Sequence, residues 1–142
     1  MSAAYTGGCA CGAIRYEIAG EPLVMTDCQC RDCQRMSGTG HGSYLTFPDK
    51  ERVKLTGKAI HWDHVGDSGN VKTRAFCPTC GSPVYLTSVA MPQFFTVHAA
   101  SLDDPSRYKP QMMLYRSSGY AWDHLDPAVV KFDKMPPAPG GN

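Results

Sequence analysis

Seven cysteines in three tight groups constrain this chain more than any other feature: Cys9 and Cys11, then Cys28, Cys30 and Cys33, then Cys77 and Cys80. Seven thiols cannot all pair with one another. The opening Met1-Ser2-Ala3-Ala4-Tyr5 also lacks the basic stretch and apolar run of an export signal. A reducing, cytoplasmic setting is therefore expected, and there such spacing reads as metal binding rather than as a disulfide framework.

Spacing then sorts the cysteines. Two cysteines one residue apart in extended chain put both sulfurs on one face, because strand side chains alternate. Cys9-Ala10-Cys11 has this spacing, and Cys77-Pro78-Thr79-Cys80 is a CxxC knuckle whose turn aims two sulfurs at one point. Together the four make a tetrahedral set suited to zinc, which takes thiolates at about 2.3 Å with no further geometric demand. Such a site would close the segment 12–76 into a loop and so stabilise a small β domain.

The remaining run, Cys28-Gln29-Cys30-Arg31-Asp32-Cys33, can wrap three thiolates around a second ion, but no eighth cysteine exists. Its fourth place is left to a histidine (His41, His61, His64, His98 or His124), a carboxylate, water or a substrate thiol. Three protein ligands and an open position form the pattern of catalytic zinc. A zinc with four thiolates carries about −2 and is a poor electrophile, whereas three thiolates still leave it able to accept a ligand, and a thiol so bound loses its proton. A second closed structural site and a redox group with a resolving partner are the alternatives.

The rest of the chain reads as short strands broken by turns. Ala13-Ile14-Arg15-Tyr16-Glu17-Ile18, Ser43-Tyr44-Leu45-Thr46-Phe47 and Arg52-Val53-Lys54-Leu55 alternate as strands with one buried face would. Gly57, Gly66-Asp67-Ser68-Gly69-Asn70 and Pro78 to Gly81 supply turns. One short helix is expected from Arg31 to about Met36, capped by Asp27 or a residue after it and stopped at Gly38. At 142 residues the expectation is a mostly β, single zinc-binding domain over 1–134, with a disordered Pro/Gly tail over 135–142. With 14 basic and 13 acidic residues, nothing draws the chain to nucleic acid. No apolar stretch approaches the roughly 20 residues that cross a bilayer. Edge strands are compatible with a homodimer, although no residue pattern requires one.

Three motifs carry a family resemblance: Gly8-Cys9-Ala10-Cys11-Gly12 with Ile14-Arg15-Tyr16, then Cys28-Gln29-Cys30-Arg31-Asp32-Cys33-Gln34, then Phe76-Cys77-Pro78-Thr79-Cys80-Gly81-Ser82-Pro83. Ser101-Leu102-Asp103-Asp104-Pro105 and Arg116-Ser117-Ser118-Gly119-Tyr120-Ala121-Trp122 add to them, so that the match spans most of residues 7–123. In this order they resemble the glutathione-dependent formaldehyde-activating enzymes and their centromere protein V relatives. The resemblance implies a zinc-bound β-tent fold built of short antiparallel sheets, with Zn2+ on Cys9, Cys11, Cys77 and Cys80 as structural ion. It implies a second, catalytic Zn2+ on Cys28, Cys30 and Cys33. This is the grouping that spacing alone suggested. The chain departs from many relatives at Gln29, where they carry histidine, and in Gln111-Met112-Met113-Leu114-Tyr115, which also lacks one.

The function so implied is that of a zinc-dependent carbon–sulfur lyase or thiol–aldehyde adduct enzyme, resembling S-(hydroxymethyl)glutathione synthase, with a small thiol such as glutathione and a small aldehyde such as formaldehyde as partners. A non-catalytic module with two structural metals, or a thiol redox sensor, would use the same residues. His61 and His64 are expected to point to opposite faces of one strand, and His98 to be a core histidine. Asp103-Asp104 should cap a turn, Tyr120 and Trp122 should be core or line a pocket, and Arg31 and Arg35 should be solvated surface or meet an anionic substrate.

Overall fold

The computed structural model describes residues 3–137, so the expected tail lies outside the described residues from Ala138 onward. Eleven strands alternate with short turns: β1 (Tyr5–Gly8), β2 (Arg15–Ile18), β3 (Val24–Cys28), β4 (Gly42–Phe47), β5 (Val53–Thr56), β6 (Ile60–Val65), β7 (Val71–Phe76), β8 (Pro83–Ser88), β9 (Phe95–His98), β10 (Met112–Leu114) and β11 (Val130–Lys131). One α-helix, α1 (Arg31–Ser37), and four single 3₁₀ turns complete the described elements. The chain is mostly β, as its patterning predicts. No helix among the described residues is long and apolar enough to cross a membrane.

The described chain divides into two compact units, one of residues 3–24 and 44–108, the other of 25–43 and 109–137. In the first, β1, β2 and β5 pair antiparallel, and β4, β9, β8, β7 and β6 follow one another in a second antiparallel ladder. Alternation explains both: in β2, Tyr16 and Ile18 are 2% and 0% exposed while Arg15 and Glu17 face water. Ile14, Ile18, Leu45, Phe47, Val84 and Val97 fill the core of this unit. Each contributes about 1.5–3 kcal/mol through the surface it removes from water. β5 departs from expectation, since Leu55 lies 40% exposed and the strand has no buried face.

The second unit holds α1 and a parallel ladder in the order β11, β10, β3. Parallel pairing needs a long return connection, and the chain supplies it between Cys28 and Met112, which no local pattern announces. α1 forms where expected: the Cys30 side chain caps it, rather than Asp27, and Gly38 ends it in the left-handed conformation (φ 77°) with its N–H on Gln34 O.

A charge pair ties distant segments of the first unit together. Arg15 holds Asp103 through both carboxylate oxygens, and the Thr6 hydroxyl donates to the same group at 2.7 Å. The Arg15 guanidinium first, then Thr6, depresses the Asp103 pKa to about 2. Asp103 is therefore no simple cap; Asp104 caps the following turn by accepting from Ser106 N. A carboxylate with a depressed folded pKa stabilises the fold above its unfolded pKa and loses that contribution as pH falls through the folded value. Both partners are nearly half exposed, so the effect is screened to at most about 1 kcal/mol. Asp103→Asn should lower the urea midpoint at pH 7, by a gap that narrows as pH falls toward 2; a gap of equal size at both pH values would show that the ionised pair is not its source.

Candidate metal centres

The four-cysteine set lies wholly in the first unit. β1 ends at Gly8, and Cys9 to Gly12 then form a tight turn, closed by Gly12 N on Cys9 O at 3.2 Å. The two sulfurs thus meet through a turn and not through the extended chain expected from their spacing. The second pair follows β7: Gly81 N donates to Cys77 O at 2.9 Å and Thr79 N to Cys77 Sγ at 3.4 Å, making the predicted knuckle. Sγ of Cys11 lies 3.6 Å from that of Cys9 and 3.7 Å from that of Cys77. A tetrahedron with metal–sulfur bonds of about 2.3 Å has edges of about 3.8 Å. The sulfurs therefore already sit at the separation that zinc would impose.

Nearby donors favour the thiolate at two of these sulfurs, Cys9 and Cys80, whereas the neighbouring sulfurs hold the Cys11 thiol up at about 11. Ile14 N points at Cys9 Sγ at 3.2 Å, and Ser82 Oγ lies 3.3 Å from Cys80 Sγ. The Ser82 hydroxyl, and then its backbone N–H, lower the Cys80 pKa to about 5. Cys9 and Cys77 are buried and Cys11 and Cys80 exposed.

The three-cysteine set lies wholly in the second unit. Cys28 ends β3, Cys30 is the N-cap of α1 with its Sγ accepting from Cys33 N at 3.3 Å, and Cys33 sits in the first turn of the helix. Their sulfurs all fall within 4.8 Å of one another. Hydrogen bonding to Cys30 and Cys33, followed by burial, pushes the Cys28 thiol far up. Three thiolates this close repel one another, and a cation among them would relieve the repulsion. The donor set thus fits a divalent ion. In this unit neither His41 nor His124 joins the three sulfurs among the described residues.

Two glutamines bind another segment to this loop. Gln34, 5% exposed, donates from Nε2 to Gln29 O at 2.8 Å and to Ser118 O at 3.0 Å. Gln29, 1% exposed, donates to Asp123 Oδ2 at 2.9 Å, and its carboxamide packs on Gly119, where an added Cβ would come within 2.4 Å of Oε1. That oxygen is buried without a hydrogen-bond partner. His41 Nδ1 lies 2.9 Å from Asp123 Oδ2 on the other side, with Asp27 near its Nε2 at 3.9 Å. The role of Gln29, His41, Gly119 and Asp123 is not readable from local sequence, since their meeting depends on the long-range register of β3 with β10.

Other expected residues fall as follows. His61 reaches Tyr85 OH at 3.2 Å while His64 accepts from Arg74 Nε at 2.7 Å and stacks on Trp62, so the two histidines do point apart. His98 is buried against Tyr44. Arg31 and Arg35 are exposed on α1, Arg31 bonding Gln34 Oε1. Tyr120 and Trp122 are not core: they are 48% and 60% exposed, stacked on each other. Among the described residues, nothing covers more than about half of either ring.

A crystal structure of a Rhodobacter sphaeroides protein superposes with a TM-score of 0.55 at 22% identity, covering 72% of this chain and 93% of that one. A Halomonas elongata protein, provisionally named a glutathione-dependent formaldehyde-activating enzyme, is 22% identical over 109 residues, covering 74% of this chain and 69% of its own length. The family profile of glutathione-dependent formaldehyde-activating enzymes matches residues 4–118, which include all seven cysteines. The chain belongs to the glutathione-dependent formaldehyde-activating enzyme family.

Proposed function

We propose that the three-cysteine centre is the active site of a zinc-dependent carbon–sulfur lyase, which joins a small thiol, glutathione, to a small aldehyde and releases them again. The observation that carries this reading is the convergence of Cys28, Cys30 and Cys33 with no fourth protein ligand from their unit among the described residues. Zinc held there would supply Lewis acidity and lower the pKa of an incoming thiol below its usual value of about 8.5.

The chain's own residues do the rest. Cys30 Sγ, fixed by the Cys33 N–H, and Cys28, fixed at the end of β3, preset two sides of the metal cradle. Arg31 and Arg35, exposed on α1, are placed to meet the carboxylates of glutathione. In the forward direction the thiol sulfur bonds to the carbonyl carbon, the C=O π bond opens, and the thiol proton ends on the oxygen. No electron is gained or lost overall. In the same reading Cys9, Cys11, Cys77 and Cys80 hold a structural zinc in a β-tent fold, and the protein works in the cytoplasm.

Hemithioacetals also form without help, so the test is a rate above blank. Exchange spectroscopy on glutathione with formaldehyde should show adduct formation and breakdown accelerated by the holoprotein, lost on metal removal and restored by zinc. Exchange equal to the blank at stoichiometric protein would sink the proposal.

A further inference from the structure

β6 ends the ladder that runs β4, β9, β8, β7, β6, so one of its edges has no neighbouring strand among the described residues. Its six residues, Ile60-His61-Trp62-Asp63-His64-Val65, pair with β7 in unbroken register. They include neither the proline nor the lysine, and show no bulge, with which proteins commonly blunt such an edge. Ile60, Trp62 and Val65 are 46%, 51% and 66% exposed. An unblunted edge of this length is a template for another strand.

The hydrogen bonds around β6 show which backbone groups are on offer. Val71 O accepts from Val89 N at 3.0 Å, so Val71 turns its polar groups toward β8, while Gly66 N bonds Asn70 O at 2.9 Å at the end of the hairpin. Opposed residues of antiparallel strands alternate between bonded and non-bonded pairs. Val65, opposite Val71, therefore makes no backbone bond to β7, and neither do Asp63 and His61. The N–H and C=O groups of all three point out of the open edge. A row of donors and acceptors in that pattern is satisfied by an added β-strand.

The side chains select which strand. We propose that the occupant is β6 of a second copy of this chain, paired antiparallel across a two-fold axis at Trp62. In that register His61 lies opposite the partner's Asp63, and Asp63 opposite the partner's His61. Both are bonded pairs, so each exchanges two backbone hydrogen bonds and sets an imidazole beside a carboxylate. Tyr85 OH engages His61 Nε2 at 3.2 Å and Thr73 donates to Asp63 Oδ1 at 2.7 Å, which leaves Nδ1 and Oδ2 for the contact between copies. On the other face Trp62 meets the partner's Trp62 in a non-bonded pair, where side chains come closest. The neighbouring two-fold register, centred on Asp63, would set two carboxylates face to face, and like charges directly opposed disfavour it. A two-fold pair uses up the edge and closes on itself. Six residues a side bury less than the roughly 1,200–2,000 Å² of a standard interface, so the dimer is reversible. The pairing uses the first unit alone and is independent of the chemistry proposed above.

Analytical ultracentrifugation of the zinc-loaded full chain should show a mass that rises with concentration toward twice that of one chain and no further. Asp63→Pro removes an N–H that β7 does not use, so zinc content and far-UV spectrum should match wild type while the dimer Kd rises at least about tenfold. His61→Asp should weaken the dimer in the same way by facing the partner's Asp63, and adding Asp63→His to that chain should bring Kd back to within about threefold of wild type. In a Trp122→Phe background, Trp62 emission should move to the blue as concentration rises. A chain that stays monomeric up to about 1 mM, a mass that grows past the dimer, or a dimer that forms equally well with Asp63→Pro or His61→Asp overturns the proposal.

Discussion

On the proposed reading, Cys33→Ser should lower the zinc content of the purified protein from about two ions per chain to about one, and should lower adduct exchange at least about a thousandfold, or about 4 kcal/mol of transition-state stabilisation. The argument starts from the position of the side chain. Cys33 is 5% exposed in the first turn of α1, and its backbone N–H, which serine retains, fixes Cys30 Sγ. The substitution therefore keeps the helix cap and core volume and replaces only the sulfur. A neutral hydroxyl is a poor zinc ligand beside two thiolates, so the three-point cradle becomes a two-point one and the ion is lost. The four-cysteine set, in the other unit, should keep its metal, so a fall from about two to one assigns the lost ion to this cluster. Zinc is counted by mass spectrometry after purification without chelator, and exchange is read by NMR on the same sample. If turnover survives with one zinc, the three-cysteine centre is not the active site.

Much of this was legible beforehand, and for identifiable reasons. Metal ligands come in short local spacings because one ion must be reached from neighbouring residues, so Cys9-Ala10-Cys11, the six residues from Cys28 to Cys33, and the CxxC at Cys77 announced both groupings. Strand alternation in Arg15–Ile18 and the Gly38 stop of α1 are likewise local. What could not be read is whatever depends on register between distant strands. The parallel pairing of β3 with β10 sets Cys28 beside Leu114 and so carries the 118–123 segment to Gln29. No periodicity in either stretch encodes that. Tyr120 and Trp122 show the same limit from the other side. Large aromatic residues are highly buried on average, and only the fold reveals that these two stay about half exposed among the described residues.

Cys77→Ser should have the opposite signature, a loss of the folded state itself. Cys77 is 1% exposed, its N–H bonds Ser82 O at 3.0 Å, and its sulfur stands 3.7 Å from that of Cys11. One ion on this set would link the chain just after β1 to the chain just after β7 and so close residues 12–76 into a loop. The entropy of closing so long a loop is removed from the unfolded state. Structural zinc contributes about 10–16 kcal/mol of apparent free energy in small zinc-finger peptides. A domain of this size is stable by only about 5–15 kcal/mol, so losing even half of that contribution leaves little or no folded population at 37 °C. The variant should show no cooperative thermal transition and collapsed amide dispersion, under conditions where Cys33→Ser still unfolds as a unit. The contrast between the two serine variants carries the argument, because the same sulfur-to-oxygen change costs activity at one centre and the fold at the other. A Cys77→Ser protein that melts cooperatively within a few degrees of wild type would show instead that the strands of the first unit hold together without the ion, and the four-cysteine set would lose its structural role.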